Sequence, residues 1–233
     1  MTAAREKILG QLRSSRRPFP HTAPRPEDYL PVTSLSRISP EGLLARFTEE
    51  IERLDGNVFA VEGDEMARAK VLELLESHRA KRILAWHFKF IPVAKLASAI
   101  QQAGYTIYYP NIHHDDAAAR EAEIRRLESA EVGLTGVDAA AAASTGTLIV
   151  STAPGKGRIP TLLPPVHIAV VELGQIVPRL EDWLAQERAA GNLTLEHSAN
   201  VCFITGPSRT ADIEKQIVLG AHGPKQLQVV VKR

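Results

Sequence analysis

The stretch NVFAVEGDEMARAKVLELLESHRAKRILAW, residues 57–86, decides the fold. Residues 57 to 61 and 82 to 86 are short apolar runs with the length of buried strands, and residues 64 to 79 between them carry apolar side chains at helical spacing. The alternation continues, with residues 92 to 103 reading as a helix and 105 to 109 as a third strand. Such a βαβαβ order predicts an α/β protein with a mostly parallel sheet flanked by helices. Upstream, Ser39 is placed as an N-cap and Pro40 at the first helical position. Leu43, Leu44, Phe47, Ile51 and Leu54 then repeat at helical spacing until Asp55 and Gly56 end the run.

Composition limits what this fold can do. At 233 residues and 44% hydrophobic content, the chain buries roughly 70% of its unfolded surface without help from a metal or disulfide. Its 28 basic and 27 acidic residues leave a net charge of +1, too little to concentrate it on nucleic acid or an anionic membrane. No run approaches the roughly 18 apolar residues of a membrane span, and the start lacks a signal-peptide core, so a cytoplasmic protein is expected. Cys202 is the only cysteine; it lies in an apolar run and reads as a buried, inert thiol. One thiolate does not supply the usual four ligands of an iron–sulfur cluster, so no such cofactor is expected in this chain.

Residues 1–17 form a basic amphipathic helix, with Ile8, Leu9 and Leu12 on one side, suited to docking or to a solvated terminus. Residues 18–40 hold six prolines and read as an extended arm, leaving 41–233 as the α/β domain. Within that domain, Asp116 caps a helix running to residue 129. Residues 133 to 151 then crowd Gly, Ala, Ser and Thr between strand-like ends, a composition that serves close packing or close approach of a ligand. A turn around Pro154, Gly155 and Gly157 leads to a strand at 167 to 171, a short strand at 175 to 177 and a helix at 180 to 190.

Familiar motifs fail on particular residues. Pro160 stands where a dinucleotide fingerprint needs its third glycine, and Gly157 follows Lys156 where a P-loop needs Ser or Thr. No GxSxG nucleophile elbow occurs. Asn111, His113, His114, Asp115 and Asp116 resemble a metal set, but neighbours in sequence rarely converge on one ion, so no metal site is assigned. Lys156 and Arg158 read as solvent-facing charges, with contact to an anion as the alternative, and His87 as a candidate at a sheet edge.

The strongest local signal is VCFITGPSRTADIE, where the apolar run 201–204 meets a polar loop and then a helix carrying Ile213 and Ile217. Both 201–204 and 227–231 read as buried strands. The loop residues Gly206, Ser208, Arg209 and Thr210 suit a carboxylate or phosphate at a helix N-terminus; plain capping by Ser208 or Thr210 is the alternative. His222, in GAHGP, is a candidate acid, base or donor, or a loop histidine bonded to backbone.

Taken together, FITGPSRTADIE, VLGAHGP, LPPVHIAVV and STGTLIV resemble the LUD-domain family, from about the first core helix to the last strand. The resemblance implies a NagB/RpiA/CoA transferase-like α/β fold and a place beside two iron–sulfur proteins in a system that oxidises L-lactate to pyruvate. By that implication the clusters sit on cysteine-rich partners, and Thr145, Gly146 and Thr147 join the ligand-binding set. Relatives usually carry Asp or Glu just before the matching Thr-Gly, where this chain has Ser144. An acyl-CoA transferase needs a carboxylate nucleophile, which Asp138 would have to supply. Two functions therefore stand open: a non-redox subunit or accessory factor with a small-anion pocket, and a standalone enzyme acting on a phosphosugar or acyl-CoA.

Overall fold

The computed structural model describes residues 2–15, 38–112, 115–138, 141–192, 194–211 and 217–233. Most of the proline-rich arm, His113, His114 and Ile213 lie outside the described residues. The chain divides into two units, residues 1–34 and 35–233. In the first, the described part is helix α1 (Thr2–Ser15).

The second unit runs α2 (Pro40–Arg53), β1 (Asn57–Val61), α3 (Gly63–Ser77), β2 (Arg82–Ala85), α4 (Leu96–Gln102), β3 (Thr106–Tyr108), α5 (Ala117–Glu128) and β4 (Val132–Thr135). It continues through β5 (Ala141–Ala142), β6 (Leu148–Ser151), β7 (Val166–Glu172), β8 (Ile176–Val177), α6 (Leu180–Ala189) and α7 (Thr194–His197). It ends in β9 (Val201–Ile204), β10 (Arg209–Ala211), β11 (Ile217–Leu219) and β12 (Gln226–Lys232). Six strands form one parallel sheet in the order β1-β12-β7-β4-β2-β3, so the expected α/β architecture is present. Ile168, Val170, Val229 and Val230 are fully buried, as strands covered on both faces require.

Helix ends follow local chemistry. Ser39 accepts a hydrogen bond from the Gly42 N–H, and Asp116 from the Ala119 N–H at 3.0 Å. Asp55 adopts a left-handed φ of 60° where α2 stops. Helix α4 starts at Leu96 rather than near Pro92, because Lys95 is left-handed (φ 59°) and the Ala94 carbonyl is taken by Arg68 at 2.9 Å.

Two long excursions leave the sheet, one between β4 and β7 and one between β7 and β12, and they pair with each other. β5 joins β8 in parallel and β6 joins β9 antiparallel. The run 201–204 is therefore a strand outside the main sheet, half-buried, with Phe203 exposed, rather than a core strand. Cys202 is half-buried too; burial pushes its thiol up, and its Sγ donates to Asn200 Oδ1 at 2.8 Å. Residues 212–216 of the expected helix after residue 210 lie outside the described residues; Ala211 and Ile217, at its two ends, stand in the antiparallel pair β10–β11.

His167 of β7 is 1% exposed; its Nε2 lies 2.8 Å from Thr135 Oγ1, and its Nδ1 has no protein partner. Burial holds its pKa down at about 4, from an ordinary 6.5. The unfolded chain thus binds a proton at this residue below pH 6.5 while the fold does not. Stability from this residue is complete above pH 6.5 and is lost as the pH falls toward 4. Urea unfolding of the wild type is expected to show about 2 kcal/mol less stability at pH 5 than at pH 7 from this residue, a difference that His167→Gln removes.

Candidate functional site

The carboxyl edge of the sheet is assembled around bare positions in β4 and just beyond it. A Cβ on Gly133 would lie 1.8 Å from the Pro160 carbonyl oxygen, and one on Gly136 would lie 2.2 Å from that of Phe90. Their missing side chains let the short helical turns Ile159–Thr161 and Phe88–Phe90 close directly on the backbone. For these glycines, the small-residue stretch serves packing.

Between those turns lies the Gly-Lys-Gly loop. Ala153 and Lys156 exchange backbone hydrogen bonds, and Gly155 is left-handed (φ 84°). The His87 N–H donates to the Gly155 carbonyl at 2.8 Å, and Trp86 Nε1 donates to that of Gly157 at 2.8 Å. The loop is thus fastened to the end of β2, and the Lys156 side chain turns inward. Its Nζ forms an ion pair with Asp138, donates to Ser151 Oγ at 3.3 Å, and lies 5.3 Å and 5.4 Å from the ring centres of Trp86 and Phe90. Asp138 also accepts the Ser151 N–H. Lys156 is therefore buried, contrary to the solvent-facing expectation, whereas Arg158 is exposed. Desolvation pushes the Lys156 ammonium below its usual value. The neighbouring carboxylate opposes that shift and makes the burial tolerable.

The expected ligand-binding residues form a second cluster, against the C-terminal end of α2. Thr145 Oγ1 lies 2.6 Å from Thr147 Oγ1, which lies 2.8 Å from Thr205 Oγ1. Gly146 (φ 59°) packs on Glu50 and Ile51, and Gly206 (φ 87°) on Leu54. Arg209 donates to the Leu54 carbonyl and to Asp55 Oδ2, capping the negative end of α2. Ser208 ties its loop to the GAHGP loop: its Oγ accepts from the His222 N–H at 3.4 Å, and its N–H donates to the Pro224 carbonyl at 2.8 Å. Thr210 pairs with Val218 across β10–β11. Asp138 belongs to the Lys156 cluster and His222, exposed, to this one. Ser144 donates its N–H to the Pro178 carbonyl at 3.0 Å. His87 is exposed at the end of β2, its Nδ1 accepting from the Lys89 N–H at 3.3 Å.

Two cavities open nearby. One of about 630 Å³ is bounded by Thr152 and Pro154 of the Gly-Lys-Gly loop and by Asn192, Thr194, His197 and Ser198. Another of about 390 Å³ lies beyond β12, with Asp64, Lys95 and Lys232 among apolar residues 88–97. Lys232 bridges Asp64 at 3.1 Å and Glu172 at 2.8 Å, which raises its own pKa and lowers that of Asp64. Among the described residues, no group of three or more His, Cys, Asp or Glu side chains is placed to hold a metal. Likewise, no described helix is long and apolar enough to cross a membrane.

This α/β architecture agrees with the comparisons. The LUD domain model matches residues 44–231, and the chain belongs to that family. Its relatives carry a more particular name. Lactate utilization protein C of Halalkalibacterium halodurans is 29% identical over 188 residues, 80% of this chain and 77% of that protein. The proteins of the same name from Exiguobacterium sp. and Bacillus subtilis are 41% and 38% identical over 115 and 111 residues. There the match spans about half the length of each relative, 47% and 45%. A crystal structure of a DUF162 family protein from Deinococcus radiodurans superimposes with a TM-score of 0.57 at 22% identity, covering 84% of this chain and 99% of that one, a likeness of fold.

Because the Gly133 contact is with backbone, Gly133→Ala is expected to cost about 3 kcal/mol, read as a lower urea midpoint at an unchanged slope.

Proposed function

We propose that this chain is a lactate-utilisation component of the lactate utilization protein C kind: a non-redox subunit or accessory factor of a cytoplasmic iron–sulfur system that oxidises L-lactate to pyruvate. The observation that carries this reading is the match to a lactate utilization protein C over 80% of the chain. A single half-buried cysteine, its thiol pushed up by burial, goes with electron transfer on cysteine-rich partners rather than here. Tagged protein isolated without oxygen from L-lactate-grown cells that encode it is expected to bring cysteine-rich proteins and a brown chromophore with it. A colourless protein that arrives alone, and that turns over a phosphosugar or acyl-CoA by itself, overturns the reading.

The loop cluster on α2 is the proposed small-anion site, with Thr145, Gly146, Thr147, Gly206, Ser208, Arg209 and Thr210 around it. Asp55, which Arg209 holds, is 81% exposed, so the pair is weak and its carboxylate is exchangeable for that of a ligand. Phosphate or L-lactate is expected to raise the melting temperature of the wild type. Arg209→Ala abolishes that rise and costs about 1 kcal/mol of unliganded stability through the lost helix cap. An unchanged ligand-induced rise in the variant makes Arg209 structural only.

A further inference from the structure

We propose that Lys156 is a reactive amine that takes up small carbonyl compounds as an imine, with Asp138 moving the protons and Trp86 and Phe90 walling the site. This inference goes beyond the accessory role and does not depend on it.

The side chain is surplus to what holds the loop. Four hydrogen bonds to main-chain carbonyls fasten residues 153–157: the reciprocal Ala153–Lys156 pair, His87 to Gly155 and Trp86 to Gly157. None uses the lysine side chain. Burying an ammonium costs free energy that an apolar side chain would not, yet here one sits with a carboxylate, a hydroxyl and two aromatic rings. That set fits imine formation. A desolvated lysine releases its proton more readily and becomes a nucleophile. The carboxylate in contact with it is placed to accept that proton. The rings present π faces to the cation that follows.

The chemistry balances without a further reactant. Asp138 takes a proton from the ammonium, and the free amine adds to the carbonyl carbon, the C–N bond forming as the C–O π bond breaks. Asp138 passes that proton to the carbonyl oxygen, then takes a second from the adduct nitrogen and passes it to the same oxygen, which leaves as water while the nitrogen lone pair closes the C=N bond. The product is a protonated imine beside the Asp138 carboxylate. The place is reachable, since the Lys156 and Asp138 side chains are 9% and 15% exposed. His87, Pro154 and Gly155 at the rim are exposed, and Pro154 also borders the larger cavity.

The test uses the whole protein with pyruvate as the probe and borohydride to reduce any imine, followed by peptide mapping. The exposed Lys81, Lys89 and Lys225 serve as internal references. Reduced adduct at Lys156 is expected to exceed that at each reference severalfold near neutral pH, because desolvation favours the free amine. Lys156→Arg, which keeps the charge for Asp138, is expected to lose that adduct while the references label as before. Asp138→Asn is expected to slow labelling at Lys156 alone. Labelling at Lys156 no faster than at the references, or none there, overturns the proposal whatever the folding of the variants.

Discussion

The absence of side chains at Gly133 and Gly136 is the constraint on which the carboxyl edge depends. A sheet with both faces covered ordinarily keeps other backbone at side-chain distance. Here the segments around Pro160 and Phe90 rest on the backbone of β4 and the residues that follow it. That close approach carries the loop between Ser151 and Pro160 under the end of β2, where Trp86 and His87 fasten it. The inward turn of Lys156 and its pairing with Asp138 follow from that placement.

A second constraint works at long range. Strands β5 and β6 of the excursion after β4 satisfy their backbone groups on β8 and β9 of the excursion after β7. The same pairing brings the TGT stretch and the GPSR loop together, linked by Thr147 and Thr205. Both rest on α2, where the carbonyl of its C-cap Leu54 and the carboxylate of Asp55 engage Arg209. The loop cluster of the LUD family resemblance is thus a junction of three segments far apart in sequence. It is anchored at the end of a helix rather than at its start.

What was legible in the sequence was local. The caps at Ser39 and Asp116, the helical spacing of α2 and the apolar runs of β1, β2, β7 and β12 depend on neighbours a few residues away, and they emerge within a residue or two of expectation. Strand β9 was legible as a strand but not as an outlier, because its partner β6 lies some fifty residues upstream. The antiparallel pairing of β10 with β11 is not legible, because Ile213 and Ile217 match a helical period that does not see the cross-strand partners Arg209 and Leu219. Asp138 was legible as a candidate without its partner. The burial of Lys156 is not legible: a lysine between glycines carries no local sign of it, and its partners Asp138, Trp86 and Phe90 lie elsewhere in the sequence.

The proposed role of this LUD-domain chain in lactate utilisation is open to a direct test. The most direct measurement is growth of cells that encode the chain, with and without it, on L-lactate or pyruvate as sole carbon source. Loss of the chain is expected to stop growth on L-lactate, to spare growth on pyruvate and to be reversed by restoring the chain. Undiminished growth on L-lactate without it contradicts that role.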